Sequence, residues 1–364
     1  MSKLFSPIKI GQQRFENRIV IPPMCTYSAK NGNATDWHIM HYGVLSHSGA
    51  GLMILEATSI CPEGRLSPAD LGLWGDEQEA SMAKLISAIR QYSAMPIAVQ
   101  LVHAGRKASM TAPWETQRYV TPDQGGWKTV APSSIAFSDV YDTPNELTVD
   151  EIKTIVQQFV DAAKRADRAG IDFIELHGAH GYLIHQFLSP LSNHRTDEYG
   201  GSLENRMRFA VDIFKAVRDV FPKEKGVGIR ISATDWVENG WNLDESIVLA
   251  KTLESLGCSY IHVSTGGLHK DQQLTVFPNY QVPFAQAIKQ HVIMPVIAVG
   301  LITEAVQAEA IVATEQADMV AIGRKMLFDP HWAWHAAKTL HAQVIVPPQY
   351  YRSAEHGDKD LFKK

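Results

Sequence analysis

Cysteine is scarce in this chain: three residues, Cys25, Cys61 and Cys258, stand far apart among 364. An odd, scattered set excludes a disulfide framework, and with no CxxC pair there is no cysteine signature of a zinc site or an iron–sulfur cluster. Long apolar runs are missing too. None reaches the roughly twenty residues that cross a bilayer, and the start, Met1-Ser2-Lys3-Leu4-Phe5, carries no apolar core followed by a cleavage site. Positive charge is nowhere concentrated, and 34 Lys and Arg against 39 Asp and Glu leave a net charge of −5. That balance argues against a nucleic-acid or anionic-membrane partner. The expectation is a soluble, cytoplasmic protein, and 45% hydrophobic with 20% charged residues is ample for a large core.

What the chain does have is a series of short apolar runs: Ile19–Pro22, Leu52–Ala57, Ile97–Val102, Phe173–Leu176, Val227–Ile231, Tyr260–Val263, Val296–Val299 and Met319–Ile322. Near-continuous hydrophobic segments of this length are the mark of parallel strands covered on both faces. Helical spacing lies between them. Met82, Leu85, Ile86 and Ile89 repeat at i, i+3, i+4, i+7 within 76–92. Thr148 precedes Glu151 by three residues, a capping box that opens a helix to about Ala169, with Gly170 placed as its C′ glycine. Residues 203–220, 244–256 and 303–313 repeat the pattern. Strand and helix alternate with no linker or composition shift, which predicts one α/β domain over residues 1–364, a (β/α)8 TIM barrel. A doubly wound open sheet would need a glycine-rich turn after its first strand, where Pro23-Met24-Cys25 stands instead. Residues 6–16, alternating weakly around Gly11, predict a small hairpin ahead of the barrel. More than forty residues separate the third strand from Thr148, among them Trp114 and Trp127. An insertion of that length reads as a lid or binding loop.

The C-terminal ends of barrel strands face one shared site. Here they carry Pro23-Met24-Cys25, Glu56-Ala57-Thr58, Gln100 with His103 and Lys107, His177 with His180 and Tyr182, Arg230, Ser264-Thr265-Gly266-Gly267, Gly300 and Gly323-Arg324. Glycines after strands seven and eight, the second followed by Arg and a short helix, form the pattern of phosphate-binding barrels. An Arg on a mid-barrel strand is costly to bury unless it meets an anion. Together with the Gln100 amide, these features suggest a phosphorylated planar heterocycle, and FMN fits. The plain alternative for Arg230 is a salt bridge to a barrel carboxylate such as Glu175.

The motifs Pro22-Pro23-Met24-Cys25-Thr26-Tyr27, Gln100-Leu-Val-His103-Ala-Gly105-Arg106-Lys107, His177-Gly-Ala-His180-Gly-Tyr182-Leu, Ser192-Asn-His-Arg-Thr-Asp197-Glu-Tyr-Gly-Gly201-Ser and Gly323-Arg324 follow in order along nearly the whole chain. In that combination the sequence resembles the old yellow enzyme family of FMN-dependent ene-reductases, and within it the bacterial class of YqjM-like and xenobiotic-reductase-like proteins. The resemblance implies hydride transfer from reduced FMN to an activated alkene, with NADPH reloading the flavin. His177 and His180 would bind the substrate carbonyl oxygen, and Tyr182 would protonate the α-carbon. Pro23, Met24, Cys25, Ala57, Gln100 and Arg230 would meet the isoalloxazine, and Gly300, Gly323 and Arg324 the phosphate. Tyr27 and Lys107 would line the substrate pocket. Arg352, in Gln349-Tyr350-Tyr351-Arg352, would reach a neighbouring subunit's site, which implies a homodimer or homotetramer. The substrates implied are enones, enals and nitro compounds, and no metal is involved. The His–His pair could titrate, so activity is expected to fall at acid pH. The tail 353–364 reads as frayed.

Three other readings compete, the third a non-catalytic binding barrel, which would give no reason for Tyr182 beside two histidines. A metal-dependent hydrolase would use His177, His180 and His103 on zinc, but no carboxylate completes the ligand set and Arg230 would stand beside the metal. A flavin enzyme acting on tRNA would need a basic surface that this chain does not have.

Overall fold

In a computed structural model, which describes residues 2–116, 118–354, 356–358 and 360–363, the barrel strands are β1 (Ile19–Ile21), β2 (Leu52–Ser59), β3 (Ile97–Val102), β4 (Phe173–Gly178), β5 (Gly226–Ser232), β6 (Ile261–Ser264), β7 (Val296–Val299) and β8 (Met319–Ala321). Each pairs in parallel with its sequence neighbours, and β8 returns to β1, so the sheet closes on itself. This is the (β/α)8 barrel expected. Among the described residues, eight helices of eight residues or more wrap it: α1 (Asp36–Ser46), α2 (Asp76–Arg90), α3 (Val149–Arg168), α4 (Leu203–Val220), α5 (Leu243–Ser255), α6 (Val282–Lys289), α7 (Ala305–Ala313) and α8 (Trp332–Thr339). The capping box at the start of α3 is formed: Thr148 Oγ1 accepts the Glu151 N–H and Glu151 accepts the Thr148 N–H at 2.7 Å.

The hairpin Ile8–Ile10/Gln13–Phe15 closes the N-terminal end of the barrel. Ile10 and Phe15 point inward onto Val20, Leu52, Phe173 and Met319, and the Phe15 ring lies 5.4 Å from Phe173. Burying a ring of this size contributes about 1.5–3 kcal/mol. A second, larger apolar layer lies between the strands and the helices.

Three features depart from expectation. Helix α1 has no legible apolar stripe, because its buried face carries His38, Tyr42 and Ser46 while Trp37 and Met40 stay exposed. Helices α6 and α8, eight residues each, are too short for the repeat to show. The tail does not fray as a whole: Phe362–Lys363 pairs with Val344–Ile345, and the Phe362 ring packs 5.2 Å from Trp334. Glu355, Lys359 and Lys364 lie outside the described residues.

Candidate active site at the mouth of the barrel

Strand β4 runs two residues further than its apolar run, so His177 stands on the strand and Ala179 to Tyr182 form the turn after it. His180 holds φ +58°, unusual for a residue with a Cβ, and its N–H donates to Ser232 Oγ at 2.9 Å. The loop after β6 comes in backbone to backbone. A Cβ on Gly267 would sit 2.7–2.8 Å from the His180 main chain, and one on Gly181 only 2.2 Å from the Gly267 carbonyl. Both positions therefore require glycine. Lys107 Nζ ties the two loops together, donating to the carbonyls of His180 and Gly267 at 2.9 Å each.

The result is a tight ring cluster. His177 and His180 meet edge to face with centroids 5.1 Å apart, and Tyr182 stands edge-on to His177 at 4.9 Å. Burial, then the charge of Arg230, holds both imidazoles well below the ordinary histidine range. The acid loss anticipated for the pair therefore moves well below pH 6.5. Burial pushes the Tyr182 phenol well above 10, so it stays protonated. Burial, then Arg106, brings Lys107 down to about 8.

Beside the cluster opens a cavity of about 270 Å³, lined in part by Arg230, Tyr280, Gly300, Gly323 and Arg324. Arg230, on β5, is 8% exposed and has no hydrogen-bond or ion-pair partner among the described residues; its Nε is an orphaned buried donor. The salt bridge to Glu175 is not made. Glu175 accepts from Gln100 Nε2 at 2.8 Å and lies 3.0 Å from His262 Nδ1. Among the described residues no donor meets Gln100 Oε1, so the mouth offers a bare guanidinium, an amide acceptor and a glycine-lined floor. That donor set suits a phosphorylated heterocycle.

The segment after β1 completes the rim. Gly323 lies beside Pro22 and Met24, while Cys25, Ala57, Tyr182 and Trp127 share one apolar cluster. The β2 strand bulges between Leu55 and Ala57, which turns Glu56 away to accept from the Thr26 N–H (2.9 Å), Thr26 Oγ1 (2.8 Å) and Tyr42 Oη (3.0 Å). The loop bearing Cys25 and Tyr27 is thereby pinned. Tyr27 reaches the insertion, edge to face with Trp114 at 5.6 Å. The insertion does cover the mouth, through Trp127 and through Phe137, which lies over Lys107.

Arg352 is the expected residue that the fold does not bring here. It is exposed on the 3-10 segment Pro348–Ser353, whose Tyr350 and Tyr351 pack near His47 and around a cleft of about 550 Å³ at the N-terminal ends of the strands. Two side chains at the mouth escaped sequence reasoning. Ser264 was one strand-end residue among many, and Gln281 belongs to no motif. Among the described residues no three His, Cys, Asp or Glu side chains are placed to hold a metal, and His103 Nδ1 is occupied by the Gly105 N–H at 3.0 Å.

Residues 3–343 match the model of the NADH:flavin oxidoreductase / NADH oxidase family. The chain belongs to this family. It is 45% identical to an NADPH dehydrogenase of Listeria monocytogenes over 97% of its length and 99% of the relative's, and 43% identical to that of Bacillus subtilis over 96% and 98%. Among solved structures, morphinone reductase superposes with a TM-score of 0.79 at 28% identity, covering all of this chain and 94% of that one. One structure of morphinone reductase holds tetrahydroNAD. The protein is thus an FMN-dependent NAD(P)H oxidoreductase of the old yellow enzyme family, with NADPH as reductant, and no helix among its described residues is long and apolar enough to cross a membrane.

Proposed function

We propose that this oxidoreductase reduces the activated C=C bond of enones, enals and nitroalkenes in the cytoplasm. The observation that carries the reading is the neutral imidazole pair standing against a protonated phenol at one mouth. Bound FMN supplies the hydride, and NADPH replenishes it. Arg230 and Gln100 would hold the isoalloxazine, together with Pro23, Met24, Cys25 and Ala57, while Gly300, Gly323 and Arg324 would take the phosphate. His177 and His180 bind the substrate oxygen and stabilise the enolate-like charge that grows as the β-carbon is reduced. Tyr182 then gives its proton to the α-carbon. A phenol held above its ordinary pKa is a weak acid, yet it suffices against a carbanionic centre.

Lys107 spends two of its three protons on loop carbonyls, so its main service is to hold His180 and lend positive charge, 4.6 Å from the Phe137 ring centroid and 5.3 Å from that of Tyr182. Tyr27 lines the substrate side. Arg352 sits at the foot of its own barrel and can serve only the mouth of another copy, in a homodimer or homotetramer.

Anaerobic titration of the purified, flavin-loaded protein tests the reading. NADPH should bleach the visible flavin bands and cyclohexenone should restore them with formation of cyclohexanone. Bleaching that no enone reverses would remove ene-reduction and leave a different electron acceptor to find.

A further inference from the structure

Gln281 sets the direction of a hydrogen-bond chain that ends in the two imidazoles. Its Nε2 donates to the Val299 carbonyl at 3.1 Å, which turns Oε1 to the hydroxyls of Thr265 (2.8 Å) and Ser264 (3.3 Å). A Ser264 hydroxyl that donates to Gln281 must accept from His180 Nε2, 2.8 Å away. A neutral His180 protonated on Nε2 has a bare Nδ1, and that atom faces His177 Nε2 at 3.4 Å. At the far end, His177 Nδ1 accepts the Ala179 N–H at 3.3 Å, which puts the His177 proton on Nε2. Both imidazole N–H groups are then consumed within the chain. An oxygen arriving between the rings meets one donor, on the long 3.4 Å link, and one lone pair.

The geometry points to Ser264 as a positioning residue that switches His180 between tautomers, so that the pair becomes a two-donor site only when a substrate oxygen arrives. This rests on the ene-reductase reading of His177 and His180 given above. In the liganded register the oxygen accepts from His177 Nε2 and His180 Nδ1. The Ser264 hydroxyl rotates from Gln281 and donates to His180 Nε2, while Thr265 still satisfies Gln281 Oε1. One proton leaves Nε2 and one arrives at Nδ1 by exchange with solvent, so the charge of the pair is unchanged. Arg230 and Lys107 face these rings, and their charge opposes gaining the second donor by protonation. Tautomer exchange gains it without adding charge.

Long-range 1H–15N spectra of the FMN-loaded enzyme, labelled at histidine, test this with cyclohexanone as the probe, a ketone with no alkene to reduce. The expected result is His180 protonated on Nε2 alone without the ketone and on Nδ1 with it. Signals of both histidines that respond to the ketone while His180 keeps one tautomer overturn the switch and leave the ene-reductase reading standing. Signals that never respond overturn both. Ser264→Ala removes the partner of His180 Nε2 in both registers, so without the ketone His180 should no longer be held on Nε2 alone and should show both tautomers, while Ser264→Thr keeps the hydroxyl and should restore the parent spectrum. Flavin content is read from the visible spectrum, since Ser264 also lines the Arg230 cavity. A ligand-free His180 still held on Nε2 alone in flavin-loaded Ser264→Ala overturns the proposal.

Discussion

Replacing Arg230 by Met should move two quantities in opposite directions. The guanidinium is 8% exposed and unpaired, and the nearby carboxylate of Glu175 is engaged by Gln100 and His262. Burial lowers its pKa, with Glu175 opposing only in part, as expected of a cation whose desolvation is not compensated. In the flavin-free protein, an apolar side chain of similar length should therefore be more stable by about 1–3 kcal/mol. With FMN the sign reverses, because the neutral oxidised isoalloxazine loses the charged donor its carbonyl edge would accept from. A hydrogen bond from a charged group contributes about 1.5–3 kcal/mol, so FMN affinity should fall roughly tenfold to 150-fold. Arg230→Lys keeps the charge without the planar fork, and should leave the stability of the flavin-free protein near parental while weakening FMN by an intermediate amount. Urea unfolding of deflavinated protein gives the first quantity and fluorescence titration with FMN the second. If the flavin-free Arg230→Met protein is less stable than its parent, the guanidinium has a structural partner and the reasoning fails.

Three more outcomes follow from the same geometry. Tyr182→Phe should leave NADPH-driven bleaching within a few-fold of the parent while slowing the enone half-reaction by about 10²–10⁴, the usual worth of a positioned general acid; equal enone rates would move the proton donor elsewhere. Glu56, raised by burial from 4.5 to about 7, binds its proton more tightly folded than unfolded. Its contribution is present in full below pH 4.5 and is lost as pH rises toward 7, at about 1.4 kcal/mol per pH unit. Urea midpoints for Glu56→Gln should lack that slope, and parallel curves for the two proteins would refute it. Phe15→Ala opens a cavity in the barrel floor and should cost about 3–5 kcal/mol in urea unfolding; a loss below about 1 kcal/mol would mean that the hairpin does not plug the barrel.

The barrel and the chemistry of its rim were legible because they depend on residue type and order. Eight short apolar runs bounded by capping signals imply parallel strands whatever the side chains do, and His177, His180 and Tyr182 fall at a strand end by counting. What escaped depends on geometry. Helix α1 buries polar groups toward Glu56, so its hydrophobic pattern is inverted. The bulge at Glu56 leaves no trace in composition, and only the packing of two loops explains φ +58° at His180. Gln281 acts through the direction of its amide, a property no motif encodes. Arg352 was expected to serve a neighbouring copy, and it lies exposed at the far end of its own barrel.

The distribution of charge around the mouth explains how a chain of net charge −5 can suit an anionic cofactor. Arg230, Arg106 and Lys107 converge there, and the side-chain hydrogen bonds that Arg106 and Lys107 make go to carbonyls of Ile135, Leu268, His180 and Gly267. Carbonyls satisfy donors without neutralising charge, so the positive field survives burial. The buried carboxylates are placed differently. Glu56 is turned aside by the bulge, Asp70 accepts from Leu66 and Ser67, and Glu175 is bound by Gln100. Burial first, and then the same field that favours a phosphate and a reduced flavin, keeps the histidines neutral. A neutral pair has only one N–H per ring to give, which is why the direction of the chain through Ser264 decides what a substrate oxygen meets.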